Sequence, residues 1–195
     1  MSEAVKEFQF RRGNLALMPY VVGAGAFNEE ALIVLYKRLK DEDLWDTVFH
    51  EDTGVSLLKF MNFFSGGQCL LQFLAIVNDD RVVDIAGMSW IADITICSGV
   101  LTRGVGSFGF FKDYQKPMYT DQFSEMILDY WFNALNLDTI VGVTPEPNRA
   151  ASIFVKRAGF REVGRMPNYT TYKGQVANGI IHSLTKEEYR QMLGG

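Results

Sequence analysis

The chain has 195 residues, 48% of them hydrophobic, enough for one well-buried core and too few for two ordinary domains, so a single domain over 1–195 is expected. Lys+Arg at 19 against Asp+Glu at 23 gives a net charge of -4, which argues against broad nucleic-acid or anionic-membrane partners. No apolar run approaches the ~20 residues that cross a bilayer, Met1-Ser2-Glu3-Ala4-Val5-Lys6 lacks the pattern of a secretory signal, and Cys69 and Cys97 have neither CxxC spacing nor scaffold density, so they read as reduced thiols of a cytoplasmic protein. His50 and His182 each stand alone in sequence, with nothing to link either to a cysteine nucleophile.

Phe8 to Val22 reads as a first strand, bulged near Gly13-Asn14. Asn28-Glu29-Glu30 then predicts a helix cap and an acidic first turn, and Leu32, Leu35, Tyr36 and Leu39 put one apolar stripe on that helix. A second helix is predicted from Gly54 to Phe64, with Val55, Leu58 and Met61-Asn62 inward and Ser65-Gly66-Gly67 as its stop. Three antiparallel strands follow: Leu70 to Val77, a turn at Asp79-Asp80, Val82 to Asp93, and Thr95 to Lys112. Glycines 104, 106 and 109 weaken the third strand unless a bulge or a close neighbour requires them. A helix starting at Tyr119-Thr120-Asp121 carries Phe123, Met126, Ile127, Tyr130, Trp131 and Ala134 at helical spacing through to Leu137. Thr139 to Val143 is a strand, and further strands lie near Phe160 to Met166 and Gly179 to Leu184. Thr185-Lys186-Glu187-Glu188 has the form of a capping box opening a terminal helix.

The most informative stretch is Asn148-Arg149-Ala150-Ala151-Ser152-Ile153-Phe154-Val155-Lys156-Arg157-Ala158-Gly159-Phe160, a cap, an amphipathic helix and a glycine stop between two strands. It resembles the fourth helix of the GCN5-related N-acetyltransferases, in which an asparagine begins the helix and a Gly-Phe pair ends it. The element order is also similar to that family, most of all to the branch that modifies ribosomal-protein N-termini, aminoglycosides or other small amines. The resemblance runs from about Leu70 to Tyr189 and implies an α/β (α+β) fold: a mixed, mostly antiparallel central sheet flanked by helices.

The same resemblance implies acetyl-CoA as co-substrate, no metal, and an amine acceptor on a small molecule or a protein. A helix N-terminus with free N–H groups suits a pyrophosphate, and family members place a Gln/Arg-x-x-Gly-x-Gly/Ala loop there. Here Gln115-Lys116-Pro117-Met118-Tyr119-Thr120 keeps the glutamine but has Met118 and Thr120 at the small positions, while Lys112 and Lys116 offer charge in compensation. By resemblance, the backbone of Phe110, Phe111 and Lys112 holds the pantetheine arm, and Asn148 bonds the cofactor near the thioester.

Direct transfer needs positioning, a donor for the carbonyl oxygen and a route for protons. Many relatives carry a tyrosine where this chain has Val155, so the resemblance names no general acid. Asp93, Asp113, or a water held by Ser107 are the candidate bases. Two readings follow: a cytoplasmic acetyl-CoA-dependent N-acetyltransferase, or a catalytically inactive relative of that fold serving as a binding or assembly protein, as in a phage or mobile element.

Overall fold

A computed structural model describes residues 10–21, 26–49, 56–67, 69–79, 81–97, 99 and 101–194. The predicted first strand is a hairpin instead, β1 (Phe10–Arg12) and β2 (Leu15–Pro19), because Gly13 and Asn14 form a turn and not a bulge. Helix α1 (Ala26–Asp41) begins two residues before the predicted cap at Asn28, whose side chain lies outside the described residues, and buries Leu32, Leu35 and Leu39 as its spacing requires. A short α2 (Trp45–Val48) had no sequence signal. Helix α3 (Leu57–Ser65) starts after Ser56, whose hydroxyl accepts from the Lys59 N–H. Phe60 and Phe64 face inward and Leu58 is exposed, so the predicted inner face is rotated; Val55 lies outside the described residues.

Strands β3 (Cys69–Asn78), β4 (Arg81–Cys97) and β5 (Leu101–Phe110) form the predicted antiparallel meander. The break expected at Asp93 is a bulge: Asp93 takes a φ of 49° and β4 continues past it. Of the two explanations for the glycines of β5, close approach holds at Gly106, where a Cβ would lie 2.6 Å from the Trp131 ring. Helix α4 (Pro117–Asp129) ends in a π-type turn, Tyr130–Ala134. Then come β6 (Thr139–Pro145), α5 (Arg149–Arg157), β7 (Arg161–Tyr172), β8 (Gln175–Thr185) and α6 (Lys186–Gly194). The capping box is formed: Glu188 N–H donates to Thr185 Oγ1 at 3.2 Å, and Thr185 N–H donates to Glu188 Oε2 at 2.8 Å.

The eight strands make one sheet in the order β1-β2-β3-β4-β5-β6-β8-β7. Side chains of successive residues point to opposite faces, and each face has its own core. Leu32, Leu35, Phe60, Phe64, Phe73 and Trp90 pack beneath α1–α3. Phe123, Ile127, Trp131, Leu74, Ile140 and Leu184 pack beneath α4 and α6. All strand pairs are antiparallel except β5 with β6, joined by the α4 crossover. No helix among the described residues is long and apolar enough to cross a membrane.

Candidate active site

The parallel pair β5/β6 is hydrogen-bonded only where Arg103, Gly104 and Val105 meet Thr139, Ile140 and Val141. Beyond Val105 the strands separate, since β5 stays on β4 as far as Phe110 while β6 stays on β8 as far as Pro145. Beside the wedge lie two spaces that share Phe108 and Phe154 as lining. The inner one, ≈ 70 Å³, is lined by Gly106, Ser107, Phe108, Gly142, Val143, Val155, Phe160 and His182. The outer one, ≈ 340 Å³, is lined by Phe108, Phe110, Gln115, Thr120, Asn148, Phe154, Arg157 and Tyr172, among others.

Hydrogen bonding along β5 decides which backbone groups face this cleft. Phe111 N–H donates to the Ala86 carbonyl at 2.9 Å, so alternation along the antiparallel ladder turns the backbone of Phe108 and Phe110 away from β4 and toward the wedge. The Phe111 N–H is therefore engaged, and Lys112 N–H donates to Glu42 Oε2 at 2.6 Å. Of the three residues expected to present backbone to a ligand, only Phe110 turns its backbone toward the wedge, as Phe108 does. The Phe110 carbonyl accepts from Gln115 Nε2 at 3.0 Å, which folds the glutamine over the end of the strand.

That corner is pinned from α1. The Arg38 guanidinium pairs with Glu42 at 2.6 Å and Asp84 at 3.0 Å, and lies 4.3 Å above the Phe111 ring. Tyr114 donates to Asp84 at 2.6 Å; burial, then that carboxylate, push the phenol up to about 12. Phe111 itself is core.

Helix α4 starts at Pro117 rather than Tyr119, because proline's fixed φ suits the first helical position. Met118 and Tyr119 are thus helical and require no left-handed conformation, which removes the conformational objection to a methionine there. The Met118 side chain is 60% exposed and points out of the turn. Tyr119 and Thr120 N–H both donate to the Lys116 carbonyl at 3.0 Å, so two donors of the first turn are drawn inward. Tyr119 packs edge-on against Tyr114, and Lys112 and Lys116 are exposed.

Two residues that sequence reasoning left without roles enter here. Arg157, at the end of α5, pairs with Asp121 at 2.7 Å and donates to buried Thr120 Oγ1 at 2.7 Å, which places a guanidinium at the N-terminal turn of α4. Arginine suits phosphate by geometry as well as charge. His182 is 1% exposed on the inner wall, and neither ring nitrogen has a partner among the described residues. No local sequence signal marked either one, because each depends on an element distant in the chain.

Asn148 caps α5, its Oδ1 accepting from Ala151 N–H at 3.1 Å, and lines the outer cleft. Ser107 lines the inner space. The two carboxylates do not join it: Asp93 sits in the β4 bulge, and Asp113 is solvent-exposed with Arg38 3.6 Å away, so neither lines the wedge. Among the described residues no cluster of three His, Cys, Asp or Glu is arranged to hold a metal. Cys69 is buried away from the cleft, and burial raises its thiol to about 11, which makes it unreactive at neutral pH.

Burial lowers the His182 pKa below its ordinary value, with nearby Glu162 opposing and Lys156 adding to the shift. As pH falls, the unfolded chain then takes up this proton first. The contribution to stability is full above about 6.5 and declines as pH drops below it. Urea melts at mildly acidic pH should show lower stability than at pH above neutrality, and His182→Phe should reduce that difference. Glu188, held low chiefly by hydrogen bonds from Thr185, loses its contribution only below the ordinary glutamate range near about 4.3, so the two windows separate.

No protein-family model and no curated protein matches the sequence. Solved structures do match the fold. Spermidine N-acetyltransferase from Vibrio cholerae, in complex with CoA and spermine, superposes with a TM-score of 0.73 at 14% identity, over 91% of this chain and 98% of its own. Mycobacterium smegmatis RimJ, in complex with CoA-disulfide, gives 0.72 at 15% identity over 92% and 88%. The ribosomal-protein-S5-alanine acetyltransferase of Vibrio fischeri gives 0.66 at 14% identity over 92% and 97%. With one parallel pair splayed in an otherwise antiparallel sheet, the chain has the fold of the GCN5-related N-acetyltransferases.

Proposed function

We propose that the protein is a cytoplasmic acetyl-CoA-dependent N-acetyltransferase, contained in one domain, that transfers the acetyl group to an amine of a small molecule or a protein. The observation that carries this reading is the wedge between β5 and β6, which opens beside Phe108 and Phe110, whose backbone is turned away from β4, and ends at a guanidinium. The residues present fit the co-substrate. Phe108 and Phe110 offer backbone groups for the amides of the pantetheine arm, Phe154 and Tyr172 offer apolar surface, and Arg157 with Lys116 offers charge for the phosphates. The exposed loop lysines and Arg157 take over the task that the missing glycines perform in the family pattern.

When bound, acetyl-CoA supplies an activated acyl group. The chain's part is to orient it, to exclude water in the inner space, and to hold a neutral amine against it. One similar structure is a spermidine N-acetyltransferase and another a ribosomal-protein-S5-alanine acetyltransferase, so both classes of acceptor suit the reading.

Calorimetric titration with acetyl-CoA and CoA tests it. Saturable binding, with a melting temperature that rises with ligand concentration, is expected. No binding at millimolar ligand would overturn the enzyme and leave a binding or assembly protein with the same fold, the reading favoured by Val155 in place of a tyrosine.

A further inference from the structure

We propose that His182 is a catalytic residue of the acyl transfer, its imidazole meeting the thioester sulfur in the wedge and carrying the amine proton to the leaving sulfur. This rests on the acetyltransferase reading above.

The placement is unusual for a packing residue. His182 lies on β8 directly opposite Gly142 of β6, so no side chain from that neighbour shields the ring from the splay. It is 1% exposed, it lines the inner space, and both ring nitrogens lack partners among the described residues. Buried polar atoms without partners are costly, and an apolar side chain would fill this wall with less penalty. Packing alone therefore does not account for an imidazole here.

Among the described residues, the remaining wall supplies no other proton carrier in the neutral range. Val155 stands where a tyrosine is expected, Asp93 and Asp113 are elsewhere, and Ser107 and Thr144 carry only hydroxyls. Burial keeps the imidazole neutral in the resting protein, so one nitrogen is free to accept.

The step balances without another reactant. The amine nitrogen bonds to the acyl carbon, and its surplus proton passes to the acceptor nitrogen of His182. As the carbon–sulfur electron pair leaves with sulfur, the same proton moves from the ring to that sulfur. The products are the amide and the free thiol, and the ring returns to neutral.

Nitrogen-15 spectra of the histidine-labelled chain test this independently of the acceptor. The chain has two histidines, so either His182→Phe or His50→Gln assigns the ring signals, and misfolding of one variant is no obstacle. CoA and desulfo-CoA, which lacks the sulfur, are the probes. The expected result is that both bind, and that the His182 ring resonances move with CoA and far less with desulfo-CoA. If both bind and the resonances stay fixed or move equally, the role of His182 is overturned while the acetyl-CoA reading stands. If neither binds at millimolar concentration, that reading fails and this inference with it.

Discussion

Gly87→Ala should lower the stability of the chain by about 3 kcal/mol. A Cβ there would lie 2.1 Å from the Gly109 carbonyl oxygen, 2.9 Å from Phe110 Cα and 3.0 Å from the Gly109 carbonyl carbon. All three atoms are backbone of β5, so no side chain can rotate aside and the strand itself must move. A chain of this size loses about 2–4 °C of melting temperature per kcal/mol, which gives a fall of roughly 6–12 °C. Because Phe108 and Phe110 belong to the same stretch, CoA affinity should fall as well. Gly164→Ala is the control. Its Cβ would meet only the Ile181 methyl at 3.7 Å, and its effect should stay within about 0.5 kcal/mol. Thermal melts in which the two variants lose equal stability would rule out the backbone clash as the cause.

Arg157→Gln should weaken CoA binding by about 10- to 100-fold, the range of one charge-assisted hydrogen bond of roughly 1.5–3 kcal/mol. The guanidinium is held over the first turn of α4 by Asp121 and Thr120, at the place where the helix dipole favours an anion. Asp121 competes with a phosphate for that guanidinium. Asp121→Asn should therefore tighten binding modestly, by about threefold, since the pair is nearly half exposed and weakly coupled. Opposite signs for the two variants are the diagnostic result in calorimetry. Weakened binding in both would show that Arg157 serves to hold α5 against α4.

Much of the fold was legible because local signals agreed with one another. The Asn148 cap, the apolar spacing and Gly159, which takes a φ of 94° just past the helix, all mark α5. The stripe from Phe123 to Trp131 marks α4, and the Thr185–Glu188 exchange marks α6. Misreadings fell where two local rules competed. Gly13-Asn14 fits a bulge or a turn, and the register with β2 and β3 selected the turn. Tyr119-Thr120-Asp121 looks like a helix start, but Pro117 supplies the φ that begins the helix two residues earlier.

The sequence by itself determined most of the element order, the caps of α5 and α6 and the apolar stripes of α1 and α4, because these depend on residues three or four apart or on strict alternation. Only the tertiary structure decided the site. Pairing distant strands left β5 and β6 apart beyond Val105, put Phe108 rather than Phe111 at the opening, and carried Asp93 and Asp113 away from it. It also set Arg157 against α4, 37 residues away from Thr120 in sequence, and His182 opposite Gly142. A cleft is made by where strands separate, and that separation is fixed by hydrogen bonds to other strands that no local pattern records.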